Sequence, residues 1–266
     1  MTGDDFGIAP EVDAAIVRAA GQGALHRASL LAAGASAISA CASARELPAL
    51  RVGIHLALVD VAPVLPPSQV PTLVTREGRF PRSYRHFLMR FMAGTIRLDE
   101  VEREWRAQID RAVRQGIRPA HLNSHQHLHV LPPLFAIARR LAKAFGINEV
   151  RVPYEPSSWR VGRVGWIRTL SIELLGRLAR EAAGEEGRLC AGLFEAGRLN
   201  EEAWLQKLER IESDSDVEFV AHPGTSNTAL GKRLGLAYDW EGELQGVLSD
   251  RVAGALRQHG FTPDVE

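Results

Sequence analysis

Four of the chain's nine histidines fall within one stretch near its midpoint, His121-Leu122-Asn123-Ser124-His125-Gln126-His127-Leu128-His129. Drawn out as a strand, this stretch puts His121, His125, His127 and His129 on one face, because alternate residues of a strand share a side. Several imidazoles on one face form a metal-ligand pattern, although spacing alone does not say which of them reach a single ion. His55 stands inside an apolar run after Gly53, Asp4 and Asp5 are adjacent acids near the start, and His222 sits where an apolar run breaks at Pro223-Gly224. Such a break places a residue on a loop, where active-site mouths are built. Taken singly, each has a plain structural reading as a core histidine, a helix-capping acid or a turn histidine. Together they supply the carboxylate, imidazoles, base and acid that hydrolysis assisted by a divalent ion requires. The chain has no G-x-S-x-G elbow, P-loop or G-x-G-x-x-G, so serine acyl transfer, P-loop phosphate transfer and dinucleotide binding lack their usual markers.

These groups need elements to hold them. Residues 1–7 read as a polar turn, with no apolar run ahead of them. The spacing of Val12, Ala15, Ile16 and Ala19 predicts a helix ending at Gly21 and Gly23. Beyond it the pattern predicts strands over 28–33 and 50–58 with a helix over 35–46 between them. Next come a helix over 98–115, an extended stretch over 120–130, a helix over 134–145 and a short strand over 150–152. A helix over 201–211, a strand over 217–221 and a last helix over 248–258 complete the alternation. Repeated βα units of this kind imply an α/β fold with a largely parallel sheet, closed or nearly closed, and chemistry at the C-terminal ends of its strands.

The 266 residues are enough for an eight-unit barrel of about 250 residues, and 45% hydrophobic content supplies its core. With no clear linker, one domain over 1–266 is the simpler expectation. Lys+Arg and Asp+Glu are both 32, so no global basic field exists to attract nucleic acid. Cys41 and Cys190 lie far apart, against a disulfide scaffold and in keeping with a reducing compartment. Neither a transmembrane-length apolar run nor a leader pattern is found, and the expectation is a soluble, cytoplasmic protein.

Two segments break the rhythm. Residues 78–98 contain no acid but carry Arg79, Arg82, Arg85, Arg90 and Arg97 among Phe80, Tyr84, Phe87 and Phe91. Residues 159–180 repeat the flavour with Trp159, Arg160, Arg163, Trp166, Arg168 and Arg177, inside a lid or substrate segment expected over 157–200. Each reads as a partly buried helix with a solvated Arg face, or as a lid or substrate segment that touches an anionic membrane or a lipid-linked substrate.

The ordered motifs Gly3-Asp4-Asp5-Phe6-Gly7, Gly53-Ile54-His55-Leu56, Asn123-Ser124-His125-Gln126-His127-Leu128-His129, Arg151-Val152-Pro153 and His222-Pro223-Gly224 resemble the YdjC-type carbohydrate deacetylases, over essentially the whole chain. Val64-Leu65-Pro66-Pro67, Gly78-Arg79-Phe80 and the Arg151 to Pro156 segment look most like the branch associated with hopanoid biosynthesis (HpnK-like). The resemblance implies a divergent (β/α) barrel similar to a TIM barrel, which removes the acetyl group from an N-acetylated sugar, glycan or glycolipid with one divalent cation, Mg²⁺ or Zn²⁺. By matching motif positions, Asp5, His55 and His125 would hold the metal. Asp4 would take a proton from the attacking water, His222 would protonate the departing amine, and His127 and Arg151 would lie beside the substrate. A homodimer and peripheral contact with the inner membrane face are further expectations.

Three departures from the family pattern stand out. So little precedes Asp4 that the first strand would be cut short and anchored on one side only. Asn123 occupies a position where chitooligosaccharide deacetylases commonly carry Asp, and little chain remains after Phe261 for a final strand. Two alternatives keep parts of the pattern: a metal-dependent phosphoesterase, which needs more carboxylates beside the histidines, and a non-catalytic sugar- or lipid-binding protein on the same fold. Two histidines and a carboxylate also make the facial triad of non-haem iron oxygenases, but the βα rhythm opposes that reading.

Overall fold

A computed structural model describes residues 1–162, 166–184, 188–212 and 215–262. Its elements run β1 (Thr2–Phe6), α1 (Pro10–Gly21), β2 (Arg27–Leu30), α2 (Ala37–Arg45), β3 (Arg51–Leu56), α3 (Tyr84–Met92), α4 (Leu98–Arg114), β4 (Leu122–Ser124), α5 (Pro132–Ala144) and α6 (Trp166–Ala183). They continue with β5 (Leu189–Ala191), α7 (Glu201–Leu208), β6 (Val217–Ala221), α8 (Asn227–Leu234), α9 (Trp240–Val247) and α10 (Asp250–Gln258). The six strands form one parallel sheet in the order β4-β3-β2-β1-β6-β5. Helices cover it and make it a curled, TIM-like α/β barrel, in agreement with the fold expected from the sequence. Strands buried on both faces, as in parallel sheets generally, are almost wholly inaccessible from β1 to β3.

The first departure from expectation is at the N-terminus. Residues 2–6 form the central strand, paired to β2 on one side and β6 on the other, so Asp4 and Asp5 are anchored from both sides. The segment reads as a turn because its polar residues hide a strand whose carboxylates find partners indoors. The second is at the histidine stretch. The strand there stops at Ser124, and His125–Val130 is a 3-10 turn in which Gln126 (φ 56°) and His127 (φ 54°) are left-handed. Strand periodicity therefore does not apply beyond Ser124, and the four histidines do not share a face.

The seam between β4 and β5 is closed by a segment that is barely a strand. Leu122 pairs with Val150 in a single bridge, Arg151 N donates to Leu122 O at 2.8 Å, and Cys190 N donates to Tyr154 O at 2.8 Å. Pro153 lies between these contacts, and a proline has no N–H to give a ladder.

Helix α4 sets the long connection after β3. Glu100, Glu104 and Gln108 recur every fourth residue and are all buried, so they line one face of the helix. Gln108 Oε1 accepts from Ala57 N (2.8 Å) and its Nε2 donates to Ala57 O (2.9 Å). Glu104 accepts from the backbone N–H groups of Val64 and Leu65, and Glu100 from that of Thr72. A second buried polar set ties down the loop after β5. Lys207 reaches Glu155 Oε1 (2.6 Å), Glu195 Oε2 (2.8 Å) and Trp159 O (2.9 Å), while Glu155 accepts from the N–H groups of Gly192, Leu193 and Phe194. In both cases, carboxylates satisfy loop donors that burial would otherwise leave unpaired.

The two basic segments are less alike than their composition suggests. In the first, α3 buries Phe87 and ties Arg90 Nη2 to Thr72 O (2.7 Å), leaving Arg82, Arg85, Met89 and Met92 exposed. In the second, Trp159 is buried and α6 exposes Leu170, Leu174 and Leu178. Arg163 and the side chains of Trp166 and Arg168 lie outside the described residues.

Candidate metal centre and active site

Consecutive strand residues point to opposite faces, so Asp4 and Asp5 could not both serve one site on a regular strand. Here the β1–β2 register shifts between Gly3 and Phe6, and Asp5 is left-handed at φ 67°. That irregularity brings both carboxylates to partners inside the barrel, in the way a bulge re-aims side chains beside active sites. His55 lies near the end of β3, paired in register with Asn123 of β4, and His125 follows β4 directly.

Asp5 Oδ1 is 2.7 Å from His125 Nδ1 and 3.3 Å from His55 Nε2, and one ligand atom from each residue lies within 4.8 Å of the other two. Burial opposes ionisation of Asp5, but the two histidines outweigh it and hold the carboxyl well below the usual range. Burial likewise opposes charge on His125. The Asp5 charge, with hydrogen bonds to Asp5 and Asp60, overcomes it and lifts the ring to about 10. Two imidazoles and one carboxylate converging at these separations fit a divalent cation, which would replace the proton that now relieves this negative pocket. Nitrogen-rich donors suit Zn²⁺, Co²⁺ or Ni²⁺.

Beside this triad lies a buried ion network. Arg151 Nη1 and Nη2 hold Asp4 at 2.6 and 3.0 Å, while Nε and Nη2 hold Glu218 at 2.9 and 2.7 Å. Burial alone would raise the Asp4 pKa; the Arg151 charge and its hydrogen bonds, helped by His55 and His222, drive it far down instead. Asp4 is therefore ionised at any working pH. Arg151, expected beside the substrate, is 3% exposed and its guanidinium is occupied by two carboxylates. Its contacts in this structure are with Asp4 and Glu218.

Asn123 sits between this network and the triad. Its amide is 2.7 Å from His55 Nδ1 and 2.8 Å from Ser29 Oγ, and in its other orientation the amide oxygen accepts from Arg151 Nη1 at 2.8 Å. An aspartate would present an acceptor to the ring either way; asparagine does so only with its oxygen turned toward it.

The remaining histidines divide by environment. His127 has a buried Nδ1 without a hydrogen-bond partner among the described residues, and burial, with the Arg151 charge, keeps its ring neutral. His222 follows β6, and its backbone N donates to Glu243 Oε2 at 2.6 Å. The same carboxylate accepts from Gly197 N, so it joins the loops after β5 and β6 and fixes where His222 stands. Its ring Nδ1 is 3.9 Å from Glu243 Oε2, and the ring meets Tyr238 edge-on. His121, by contrast, bonds Ser29 Oγ (3.1 Å), and His129 bonds Ser124 Oγ (2.7 Å) and Arg151 O (2.8 Å). Both are structural.

Sequence reading passed over Asp60, Glu218 and Glu243. An acid isolated in a loop, inside a strand or on a helix carries no spacing signal. One backbone feature does mark the site: Asp5, Asp60, Gln126 and His127 are the non-glycine residues with positive φ among those described, and all belong to this centre or its rim. Strain gathered in this way is characteristic of functional sites.

A family model described as YdjC-like protein matches residues 1–258. A carbohydrate deacetylase of Brevibacillus brevis is 36% identical over 58% of this chain and 58% of its own, so the match spans less than two thirds of that relative. A chitooligosaccharide deacetylase of an Enterobacter species is 27% identical over 98% of this chain and 94% of its own. A crystal structure from Enterococcus faecalis, of a protein named for cellobiose-phosphate cleavage, superposes with a TM-score of 0.75 at 25% identity, covering 98% of this chain and 94% of that one. With the family model running from the central strand through the last helix, this chain belongs to the YdjC-like protein family.

Proposed function

We propose that the protein is a metal-dependent hydrolase that removes the acetyl group from an N-acetylated sugar. The observation that carries this reading is the convergence of Asp5, His55 and His125 beside an ionised Asp4 that also feels the charge of His222. A divalent cation held by those three residues would polarise the amide carbonyl and make water more acidic. Asp4, kept charged and oriented by Arg151, accepts the proton of the attacking water. Sharing the guanidinium with Glu218 keeps Asp4 from being wholly neutralised by it. His222 gives its proton to the departing amine nitrogen, and neutral His127 offers a ring nitrogen to the substrate. The deacetylase names of the relatives support the reaction class. A phosphoesterase is less favoured, because only one group of metal-ligating residues is found among those described.

For the acceptor we favour an N-acetylglucosamine-type glycan or glycolipid, including a glycosylated hopanoid. No described helix is long and apolar enough to cross a membrane. Arg82 and Arg85 with exposed Met89 and Met92 on α3 would suit peripheral contact with an anionic bilayer. The test is acetate release from N-acetylglucosamine oligomers and N-acetylglucosaminyl lipids, with and without a chelator. Release that chelation abolishes and added Zn²⁺ or Mg²⁺ restores is the expected result. Asp4→Asn should lower the rate by about 10²–10⁴, the range for loss of a general base, while substrate binding persists. Release indifferent to chelation would overturn the proposal.

A further inference from the structure

We infer that Asp60 is a positioning residue for the cation centre: its carboxylate holds the His125 ring by the Nε2 edge and so commits Nδ1 to the cation. The inference rests on reading Asp5, His55 and His125 as the ligand set.

His125 is gripped from two sides. Nδ1 is 2.7 Å from Asp5 Oδ1, and Nε2 is 3.1 Å from Asp60 Oδ2. The two ring nitrogens point in divergent directions, so a carboxylate at Nε2 cannot share an ion at Nδ1. Nδ1 is the ring nitrogen bonded to Asp5 Oδ1, and that same oxygen lies 3.3 Å from His55 Nε2. A neutral ring whose Nδ1 lone pair is given to a cation keeps its one proton on Nε2, where Asp60 accepts it. Metal-bound histidines characteristically pass their second N–H to a carboxylate or carbonyl in this way, which fixes both tautomer and ring orientation.

The loop that carries Asp60 is built to hold it still. Asp60 is left-handed at φ 67°, and the residues around it, Leu56, Ala57, Leu58, Val59 and Val61, are all buried. Its N–H donates to Pro81 O at 3.0 Å. On either side, Gln108 pins Ala57, and Glu104 pins Val64 and Leu65. A strained backbone persists where its surroundings over-determine it. Here those surroundings are α4 and the residues just ahead of α3, so the polar face of α4 acts on the cation centre through Asp60.

The experiment measures Zn²⁺ affinity of the full chain by competition with a chromophoric chelator, for the wild type and for Asp60→Ala, Asp60→Asn and Asp5→Ala. Asp60→Ala should bind Zn²⁺ about 10- to 100-fold more weakly, the usual effect of losing such a partner. Asp60→Asn keeps an acceptor and tolerates the left-handed backbone, and should recover much of the loss. Nitrogen-15 spectra of histidine-labelled, Zn²⁺-loaded wild type should report His125 bound through Nδ1 with its proton on Nε2. Binding through Nε2, or an Asp60→Ala affinity within twofold of wild type, overturns the inference. Zn²⁺ affinity unchanged in Asp5→Ala would instead remove the ligand set itself, so the two failures are distinguishable. Should Asp60→Ala fail to fold, the wild-type spectra and Asp60→Asn still decide the matter.

Discussion

Replacing Arg151 by methionine keeps the aliphatic stem and deletes the charge, which makes it the sharpest probe of the network behind Asp4. The side chains of Asp4 and Glu218 are 1% and 3% exposed, and Arg151 supplies four hydrogen bonds between them. Removing one partner of a buried ion pair costs about 3–5 kcal/mol, because the other charge stays behind unpaired. Here two carboxylates would be stranded, and protonation of one caps the penalty near the top of that range. For a chain of this size about 4 kcal/mol corresponds to a melting temperature lower by roughly 8–16 °C. Adding Glu218→Gln removes one stranded charge and should recover about 1–2 kcal/mol, a coupling that a double-mutant cycle in urea would read directly. In acetate release, Arg151→Met should lower kcat with KM little changed if Asp4 is the base, since Asp4 would lose its ionic partner and orientation while a guanidinium only 3% exposed would leave substrate contacts untouched. If KM rises while kcat holds, or stability changes by less than about 1 kcal/mol, the guanidinium faces substrate rather than Asp4.

Two further predictions test the frame around the site. In Gly53→Ala the new Cβ would land on the His121 ring, an overpacking that should cost roughly 1–3 kcal/mol; a thermal melt within about 1 °C of wild type would show that the ring can move aside. Burial, with the charge of Arg27 for one and Arg151 for the other, lowers His121 to about 3 and His129 to about 4, from an ordinary value of 6.5. Both rings are thus neutral when folded, and below pH 6.5 the unfolded chain binds protons that the folded chain refuses. Their contribution is complete above pH 6.5 and is lost as the pH falls toward 4, on the order of 3 kcal/mol for His129 alone. Urea midpoints should decline across that window in the wild type and less steeply in His129→Gln; parallel slopes would contradict the assignment.

Much of this architecture is legible in the residues. Apolar periodicity marks α1, α2, α4, α5, α7 and α10, and β6 falls at residues 217–221 as the pattern predicts. β1 is not legible, because Thr2, Asp4 and Asp5 look like turn residues until Glu218, Arg151 and the histidines are known to surround them. Residues 125–130 mislead for the opposite reason: their alternation imitates a strand, while the left-handed pair Gln126 and His127 turns the chain. With only three residues, β5 is too short to show a period. The ligand-type residues stand out by chemistry and order. Glu218, Asp60 and Glu243, which hold Arg151, the His125 ring and the His222 backbone, do not, since their partners lie far away in sequence and only the fold brings them together.

A thinly paired joint of the barrel and the arginine that grips Asp4 share one stretch of chain. Between β4 and β5 the wall is sewn by isolated stitches across Val150, Arg151 and Tyr154, and the arginine in that stretch reaches across the interior to grasp β1 and β6 from within. An ionic strut thus does the work that a continuous ladder does elsewhere in the wall. Heat or acid that loosens the strut would part the wall and release Asp4, the proposed base, in the same event, so loss of activity should coincide with opening of the seam rather than precede it.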